Sequence, residues 1–350
     1  MDTIIEKVDP GHIDADVMEQ AGKLIAEGEL VAFPTETVYG LGGDALDPDA
    51  SRKIYAAKGR PSDNPLIVHI AEFDDMKRVA REVPEQAKKL ADAFWPGPLT
   101  MIVWKSDAVP EATTGGMQTV AVRMPNHPVA LELIRRSGCL IAAPSANTSG
   151  RPSPTEAQHV AEDLSGKIAM ILDGGPVGIG IESTIIDLTE EKPMILRPGY
   201  ITPEMLSETL GEEVVIDPGI IAADDTRKPK APGMKYKHYA PKAEMIIVDG
   251  AQDAVIDKIN ELTAAKRAEG KKVAVIATDE TKERYDAQVI LSMGKRSDED
   301  AIAQHLYKIL RECDELDVGE IYSECFQTPR IGQAIMNRLL KAAGHTVIHV

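Results

Sequence analysis

The spacing of apolar residues predicts interleaved helices and strands along the first 205 residues. DADVMEQAGKLIAEGE has apolar positions at helical spacing and predicts a helix that ends at Gly28. DASRKIYAAKGR predicts a second helix, with Asp49 or Ser51 as its N-cap. Two more helices are predicted at EQAKKLADAFW and PVALELIRRSG, and strands at LVAF, PLIVHI, LTMIVWK, TVAVRMP, LIAAPSAN, IAMILDGG, STIIDLT and MILRPG. Because these elements do not alternate strictly, the pattern favours an α/β domain with a mixed sheet.

The pattern is more regular from residue 244 onward. Strands are predicted at EMIIVDG, KKVAVIATD, AQVILSM and EIYSECF, and helices at DAVIDKINELTAAKRAEG, DEDAIAQHLYKILRECDEL and IGQAIMNRLLKAAG, before a final HTVIHV. This order predicts a small, parallel, Rossmann-like sheet. We therefore divide the chain into a first domain at 1–205, a linker at 206–243 and a second domain at 244–350.

The linker contains a basic stretch, RKPKAPGMKYKHYAPK, at 227–242. It has six Lys or Arg residues and no acidic residue, and its three prolines and one glycine argue against a helix. A flexible linker is the default interpretation of such a composition. An all-basic insert with two tyrosines could also lie across an anionic ligand.

Composition and charge limit the classes of function that the protein can have. The chain has 350 residues, 43% of them hydrophobic and 4% aromatic, so its cores are expected to be aliphatic. Its formal net charge is −17, which argues against binding nucleic acid by general attraction to phosphates. An anionic ligand would therefore need a local basic cluster.

The cysteines and the N-terminal residues predict a cytoplasmic location. Cys139, Cys313 and Cys325 form no CxxC pair and fit neither a zinc site nor a disulfide framework, so free thiols in a reducing compartment are expected. The first residues, MDTIIEKVDPGHID, include acids and lack the apolar run of a signal peptide. No apolar run approaches the roughly 20 residues that a membrane span needs.

Several common catalytic motifs do not occur. The chain has no P-loop, no GxSxG and no HExxH, and its eight histidines show no spacing of a metal cage. Gly40, Gly42 and Ala45 fit a loose GxGxxA pattern, but the polar run PTETVY stands where a dinucleotide-binding strand would simply turn.

Four polar clusters follow or precede predicted strands, and each has a structural alternative. They are PTETVYG, KGRPSDN with the following His69, APSANTSGRPSPT and GGPVGIGIESTIIDL. Each cluster taken alone has a structural explanation. In the order given, these are strand hydroxyls, charges that complement a helix C-terminus, a polar turn and a flexible loop. Arg123 and Arg197 each precede a proline at a strand end, where an arginine can bind a carboxylate or phosphate. Together the clusters predict a small-anion or nucleotide site at the edge of an α/β sheet.

The same motifs carry a family resemblance. PTETVYGLG, KGRPSDNPLIVHI, FWPGPLT, VAVRMP, APSANTSG, ESTIIDL and ILRPG occur in order and resemble the YrdC-like domain. The linker APGMKYKHYAP and the Rossmann-like tail resemble the long, two-domain form of the threonylcarbamoyl-AMP synthase family. The resemblance implies a YrdC-like mixed, twisted sheet with helices, followed by a smaller parallel-sheet domain.

The resemblance also implies a reaction and a site. L-threonine, bicarbonate or CO2, and ATP would give threonylcarbamoyl-AMP and pyrophosphate, with Mg²⁺ accompanying ATP. Threonine binding is implied for Thr35, Thr37, His69, Arg123, Ala143 and Ser183. ATP binding is implied for Lys58, Arg60, Asn64, Thr119, Ser145, Asn147, Ser153, Arg197 and Tyr236. Among these, the catalytic set would be Lys58, Arg60, Ser145 and Asn147, placed around the phosphates and the reacting carboxylate.

The resemblance implies a partner complex and a lid, and it competes with three other functions. A separate complex would transfer the threonylcarbamoyl group to adenosine 37 of tRNAs that read ANN codons, and the basic linker with Tyr236 would act as a lid.

An RNA-binding module is disfavoured because residues 1–205 contain 19 basic and 31 acidic side chains. A carbamoyl transferase that uses carbamoyl phosphate would need zinc-finger cysteine pairs, which this chain lacks. A purely structural or regulatory sheet protein would show no ATP turnover.

Overall fold

The computed structural model describes residues 2–220, 231 and 238–350. The chain forms two compact units. The first comprises 1–149, 153–178 and 182–236, and the second comprises 150–152, 179–181 and 237–350.

The first unit is built on strands that are mostly buried. They are β1 Ile4–Lys7, β2 Val31–Phe33, β3 Gly40–Asp44, β4 Ile67–His69, β5 Leu99–Trp104, β6 Thr119–Arg123, β7 Ile141–Ala142, β8 Met170–Asp173, β9 Thr184–Asp187, β10 Met194–Arg197 and β11 Val215–Ile216. Its helices are α1 Ala15–Ala26, α2 Pro48–Lys58, α3 Met76–Val79, α4 Glu85–Phe94, α5 Glu111–Thr114, α6 Pro128–Ser137, α7 Ala157–Leu164 and α8 Pro203–Leu210.

These eleven strands form one mixed sheet in the order β1-β8-β2-β3-β7-β4-β6-β5-β9-β10-β11. The pair β4 and β6 is parallel, with His69 opposite Arg123, whereas β5 and β6 are antiparallel, with Thr100 opposite Arg123. The predicted mixed α/β fold is therefore confirmed. The register brings three polar side chains of the predicted site region onto adjacent strands.

Apolar side chains cover both faces of this sheet, as alternation along the strands requires. Val68 and Val122 belong to the main core, whereas their neighbours Ile67 and Ala121 belong to a smaller cluster that also contains the buried Ala231. Strands buried on both faces read as continuous apolar runs rather than alternating ones. This explains why the sequence pattern located them but gave no information about their order.

The helix over 48–58 begins earlier than predicted. Its N-cap is Asp47, whose carboxylate accepts from the Asp49 backbone N–H at 2.8 Å, and not Asp49 or Ser51. Pro48 occupies the first helical position, where its missing N–H costs no hydrogen bond. The predicted caps were wrong because proline is favoured at the first helical position, which makes the residue before Pro48 the N-cap. The helices α3, α5, α7 and α8, the strand β3 and the edge strands β1 and β11 are additions to the predicted elements.

The second unit contains a five-stranded, fully parallel sheet, which confirms the predicted Rossmann-like class. Its strands are β12 Glu244–Asp249, β13 Val273–Ala277, β14 Val289–Ser292, β15 Glu320–Glu324 and β16 Val347–His349, in the order β14-β13-β15-β12-β16. Its helices are α9 Gln252–Ala268, α10 Glu299–Glu315 and α11 Gly332–Ala342. Within this unit, the buried Arg311 of α10 donates to the Pro152 carbonyl oxygen at 2.7 Å.

None of the helices in the described part of the chain has the length and apolar character needed to cross a membrane.

We predict that Gly22→Ala destabilises the first unit. Gly22 lies on α1 where α1 meets α6, and a Cβ at this position would come within 2.8 Å of the Arg136 carbonyl carbon and 2.9 Å of the Ser137 nitrogen. Helix propensity alone would favour alanine by about 1 kcal/mol, but forcing two backbones apart costs about 1–3 kcal/mol. Urea unfolding followed by tryptophan fluorescence measures this, because Trp95 and Trp104 both lie in the first unit.

The exposed neighbour Lys23 provides the control, since Lys23→Ala should change stability by no more than about 0.5 kcal/mol. An unfolding midpoint for Gly22→Ala at or above that of the unchanged protein would contradict the close approach of α1 and α6 at Gly22.

Candidate active site

A buried arginine lies at the centre of the polar residues in the first unit. Arg123 ends β6 and is 4% exposed. Its Nη2 lies 2.7 Å from a carboxylate oxygen of Glu36, its Nη1 donates to the Thr37 hydroxyl at 3.0 Å, and its Nε donates to the Gly97 carbonyl oxygen. Thr35 and Thr37 share a hydrogen bond of 2.8 Å between their hydroxyls. The PTET segment therefore supplies both the counter-charge and the hydroxyl partners of Arg123.

His69 lies beside Arg123 on the adjacent strand. Its Nδ1 donates to the Ile67 carbonyl oxygen at 3.1 Å, and its ring packs edge-on against Phe33. Burial, followed by the nearby charge of Arg123, lowers the pKa of His69 to about 3. His69 is therefore a neutral ring at physiological pH, suited to packing and hydrogen bonding rather than to carrying charge.

Ser183 and Arg197 form a second pair of predicted residues that are in direct contact. Arg197 donates through Nε to the Ser183 carbonyl oxygen at 3.0 Å and through Nη2 to its hydroxyl at 3.1 Å. The Ser183 hydroxyl also lies 2.7 Å from that of Thr100, which is opposite Arg123 in the sheet. Hydrogen bonds thus lead from Arg197 through Ser183 to Thr100, the residue opposite Arg123 in the sheet.

Lys58, Ser145 and Asn147 form a third group. The Lys58 side chain is buried, and its Nζ donates to the carbonyl oxygens of Ser145 and Asn147. The Ser145 hydroxyl donates to the Asn147 side-chain oxygen at 2.6 Å. Lys58 therefore fixes the loop that carries Ser145 and Asn147, a structural role that the sequence did not suggest.

Arg60 and Asn64 precede β4, and Thr119 begins the neighbouring strand β6. Arg60 donates to the carbonyl oxygens of Asn64 and Pro65 at 3.3 and 3.0 Å. Thr119 begins β6, two residues before Ala121, which is paired with Ile67 of β4. The buried side-chain oxygen of Asn64 has no hydrogen-bond partner among the described residues. A buried acceptor without a partner is costly, which makes Asn64 a candidate ligand contact.

The remaining predicted residues have separate environments. The buried Ser153 donates to Glu182 at 2.6 Å, next to Ser183 in the chain. Ala143 is buried, and its N–H donates to the same Ile67 carbonyl oxygen that His69 contacts. Tyr236, together with most of the basic linker, lies outside the described residues.

Backbone contacts connect the group around Arg123 with the group around Lys58. Gly40 forms a β-bridge with Ser145, and the Ala146 N–H donates to the Tyr39 carbonyl oxygen at 2.8 Å. Gly40, the bridge partner of Ser145, therefore lies only three residues after Thr37 in the chain. Gly42 of the loose GxGxxA pattern has a packing explanation, because a Cβ there would lie 2.8 Å from both Ile141 and Phe33 side chains.

The structure adds three residues that the sequence reasoning missed. They are Glu36, Thr100 and Glu182, which contact Arg123, Ser183 and Ser153 respectively. Glu36 is the single charged residue between Leu30 and Gly43, and Glu182 is the single one between Gly174 and Ile186. An isolated acid within an apolar or glycine-rich run is a signal of burial with a partner. Thr100 has no such signal, because threonine is ordinary in a strand.

Among the described residues, no group of three or more His, Cys, Asp or Glu side chains is arranged to hold a metal ion. The site is instead composed of cations, hydroxyls and amides, with the partly buried Glu36 and the buried Glu182 as its acids.

The fold and the site define the class of protein: a YrdC-like α/β domain with a buried cationic site, followed by a parallel-sheet domain. A family model described as "Telomere recombination" matches residues 23–199, and one described as "Threonylcarbamoyl-AMP synthase, C-terminal domain" matches residues 201–344. The chain belongs to the threonylcarbamoyl-AMP synthase family, whose members are enzymes.

Two relatives and one solved structure illustrate this membership. The chain is 53% identical to the threonylcarbamoyl-AMP synthase of Pyrococcus abyssi, covering 94% of this chain and 95% of the relative. It is 50% identical to that of Bacillus subtilis, covering 94% and 93%. The crystal structure of P. abyssi Sua5 complexed with L-threonine superposes with a TM-score of 0.94 at 50% identity, covering 99% of this chain and 100% of that one.

We predict that His69 makes the first unit less stable in acid. Its folded-state pKa of about 3 is below the usual value of 6.5, so the unfolded chain binds the proton first. The contribution of neutral His69 is fully present above pH 6.5 and is lost as the pH falls toward 3. Between pH 7 and pH 5 the loss is roughly 2 kcal/mol in the free energy of unfolding.

Urea unfolding at the two pH values, followed by tryptophan fluorescence, tests this in His69→Gln. The variant should lose less stability on acidification than the unchanged protein, whereas His12→Gln, at an exposed position, should behave like the unchanged protein. Equal acid sensitivity of His69→Gln and the unchanged protein would show that His69 is not buried in its neutral form.

Proposed function

We propose that this chain is an L-threonylcarbamoyladenylate synthase, a nucleotidyltransferase that converts L-threonine, bicarbonate or CO2, and ATP into threonylcarbamoyl-AMP and pyrophosphate. The observation that carries the proposal is the buried arrangement of Arg123, Thr37, His69 and Ser183 in a chain that shares its fold and half its sequence with a threonine-bound relative. A buried arginine with hydroxyl neighbours is suited to an amino-acid carboxylate.

Threonine is proposed to bind in the group around Arg123. The guanidinium would receive the substrate carboxylate, and the hydroxyls of Thr35, Thr37 and Ser183 would bind its polar groups. The neutral His69 ring would pack beside them. Glu36 would act as a positioning residue, because it pairs with Arg123 and limits the orientation of the guanidinium.

The proposed chemistry has two steps. The threonine nitrogen attacks the carbon of CO2, forming a C–N bond and losing a proton, and this gives a carbamate. A carbamate oxygen then attacks the α-phosphorus of ATP, and the bond to the bridging oxygen breaks to release pyrophosphate. No covalent bond to the protein is needed, so positioning and charge stabilisation supply the catalysis.

Cations are needed because both reacting partners are anions. We assign Lys58, Arg60 and Arg197 to the phosphates and the carbamate, with Ser145, Asn147 and Ser153 as hydrogen-bonding residues. Lys58 has a second role, since it fixes the Ser145–Asn147 loop. The unpartnered oxygen of Asn64 can accept a hydrogen bond from the nucleotide. Thr119 would complete this end of the ATP site.

Mg²⁺ is proposed to enter with ATP, bound by phosphate oxygens, where it would neutralise part of their charge. The product is proposed to pass to a separate transferase complex that modifies adenosine 37 of tRNAs reading ANN codons, in the cytoplasm. The acid-rich first domain supports handing over a small adenylate rather than holding tRNA tightly.

The test of the reaction is incubation of the chain with MgATP, bicarbonate and isotopically labelled threonine, followed by mass analysis. A product with the mass of threonylcarbamoyl-AMP that carries the label, together with pyrophosphate, supports the proposal. Pyrophosphate release that does not depend on bicarbonate would instead indicate simple adenylation of threonine.

We predict that Arg60→Ala lowers the rate of adenylate formation by about 100-fold or more, because it removes a cation from the reacting phosphates. Lys58→Ala should have at least as large an effect, since it also releases the Ser145–Asn147 loop. The same mass assay measures both rates, and circular dichroism checks that the variants fold.

Arg60→Lys is the matched control, because it keeps the charge but not the planar guanidinium, and it should retain more activity than Arg60→Ala. Unchanged rates in a folded Arg60→Ala variant would remove Arg60 from the catalytic set while leaving the overall reaction assignment open to the first test.

A further inference from the structure

The second unit contains two adjoining cavities that the proposed reaction does not use. One has a volume of about 280 Å³ and the other about 390 Å³. Asp249, Cys325 and Gln327 line both, so the cavities meet at these residues. Their combined volume is in the range typical of small-molecule sites.

The sheet topology explains why the cavities lie where they do. The strands β12 and β15 are neighbours in the sheet, but their outgoing connections run in opposite directions. The connection from β12 leads to β13 toward one edge of the sheet, and the connection from β15 leads to β16 at the other edge. Right-handed crossovers in opposite directions place α9 and α11 on opposite faces. In agreement, Val248 packs in a cluster with Val255 of α9, whereas Ile247 lines a cavity with Met336 of α11. Ligands of parallel α/β sheets bind at this kind of switch point, beyond the carboxyl ends of the strands.

The smaller cavity contains charged groups of both signs. Glu324 is committed to the protein, because it accepts from the hydroxyls of Thr281 and Tyr285 and pairs with Arg296. Arg296 also donates to the Cys325 carbonyl oxygen at 3.0 Å, but its side chain is 37% exposed. A guanidinium has five N–H groups, so Arg296 retains donors for a ligand in the cavity that it lines.

Asp249 supplies the negative charge of the cavity wall. Its side chain is 30% exposed, and its ion-pair partner is the exposed His349 at 3.4 Å, which carries charge only when protonated. Burial, followed by the Asp249 carboxylate, raises the pKa of Cys325 to about 11, so the neighbouring thiol is neutral and does not compensate Asp249. A ligand cation would therefore find a carboxylate on this wall.

The larger cavity is mainly apolar. Ile247, Met336, Leu340 and Val347 line it, and it adjoins the charged cavity at Asp249. It also contains the buried Thr328 hydroxyl, which has no hydrogen-bond partner among the described residues. An apolar group attached to a charged head group can occupy both cavities together.

We propose that the second unit binds a zwitterionic α-amino acid with an apolar side chain. The ammonium group would contact Asp249, the carboxylate would contact Arg296, and the side chain would occupy the apolar cavity. A phosphate dianion would face the carboxylates of Asp249 and Glu324, and a simple amine would leave Arg296 unused. An α-amino acid carries both charges on one carbon and fits both walls. This site is separate from the threonine site of the first unit, and the proposal does not depend on it.

Isothermal titration calorimetry of the full chain with L-leucine, L-methionine and L-phenylalanine tests the proposal. At least one should bind with Kd below about 1 mM. Asp249→Asn, which keeps the side-chain volume, should weaken that binding about 10-fold or more, because it removes a charge-assisted contact. Val347→Phe should do the same by filling the apolar cavity. Asp253→Asn is the control, since Asp253 lies on α9 but pairs with Arg284 outside the cavity wall, and it should bind as the unchanged chain does.

A comparison of ligands on the unchanged chain tests the proposal even if a variant does not fold. The N-acetyl derivative of the best ligand lacks the ammonium group and should bind at least about 10-fold more weakly. The proposal is overturned if none of the three amino acids binds with Kd below about 1 mM, if the N-acetyl derivative binds equally well, or if folded Asp249→Asn and Val347→Phe both bind as the unchanged chain does.

Discussion

The burial of Arg123 is the constraint on which the rest of the first unit depends. A guanidinium inside a protein must be paired and hydrogen-bonded, because removing it from water costs several kcal/mol. Glu36 supplies the opposite charge at 2.7 Å and Thr37 a hydroxyl at 3.0 Å, and both come from the turn between β2 and β3. This requirement holds the turn against the sheet. It also explains why a short segment combines two threonines with one acid.

The same constraint extends to the neighbouring strands. His69 lies opposite Arg123 on one side and Thr100 on the other, and Thr100 leads through Ser183 to Arg197. The positive charge beside His69 adds to burial in keeping its ring neutral. The site is therefore pre-organised by contacts within the protein, which is the arrangement expected where catalysis depends on positioning and electrostatics.

The two units stabilise their acidic side chains in different ways. In the first unit, the partly buried Glu36 and the buried Glu182 each contact a residue of the proposed active site. In the second, Glu324 is saturated by Thr281, Tyr285 and Arg296, which organises the carboxyl edge of the parallel sheet. Asp249 lies just beyond the strand partner of Glu324; it pairs with a surface histidine, and its side chain is 30% exposed. That difference between a satisfied and an accessible carboxylate is what distinguishes structural charge from a candidate ligand contact.

The sequence by itself determined the two α/β classes, most helices and strands, the family, and the polar segments from which the site is built, because periodicity and local motifs depend on neighbouring residues. It did not determine the cap at Asp47, the eleven-strand order, or the partners of Arg123 and Lys58. The pairs Arg123–Glu36 and Lys58–Ser145 join residues 87 apart in the chain. No local pattern encodes such pairs. Only the register of the folded sheet brings them within bonding distance, and only there does an isolated acid such as Glu36 become the counter-charge of a buried arginine.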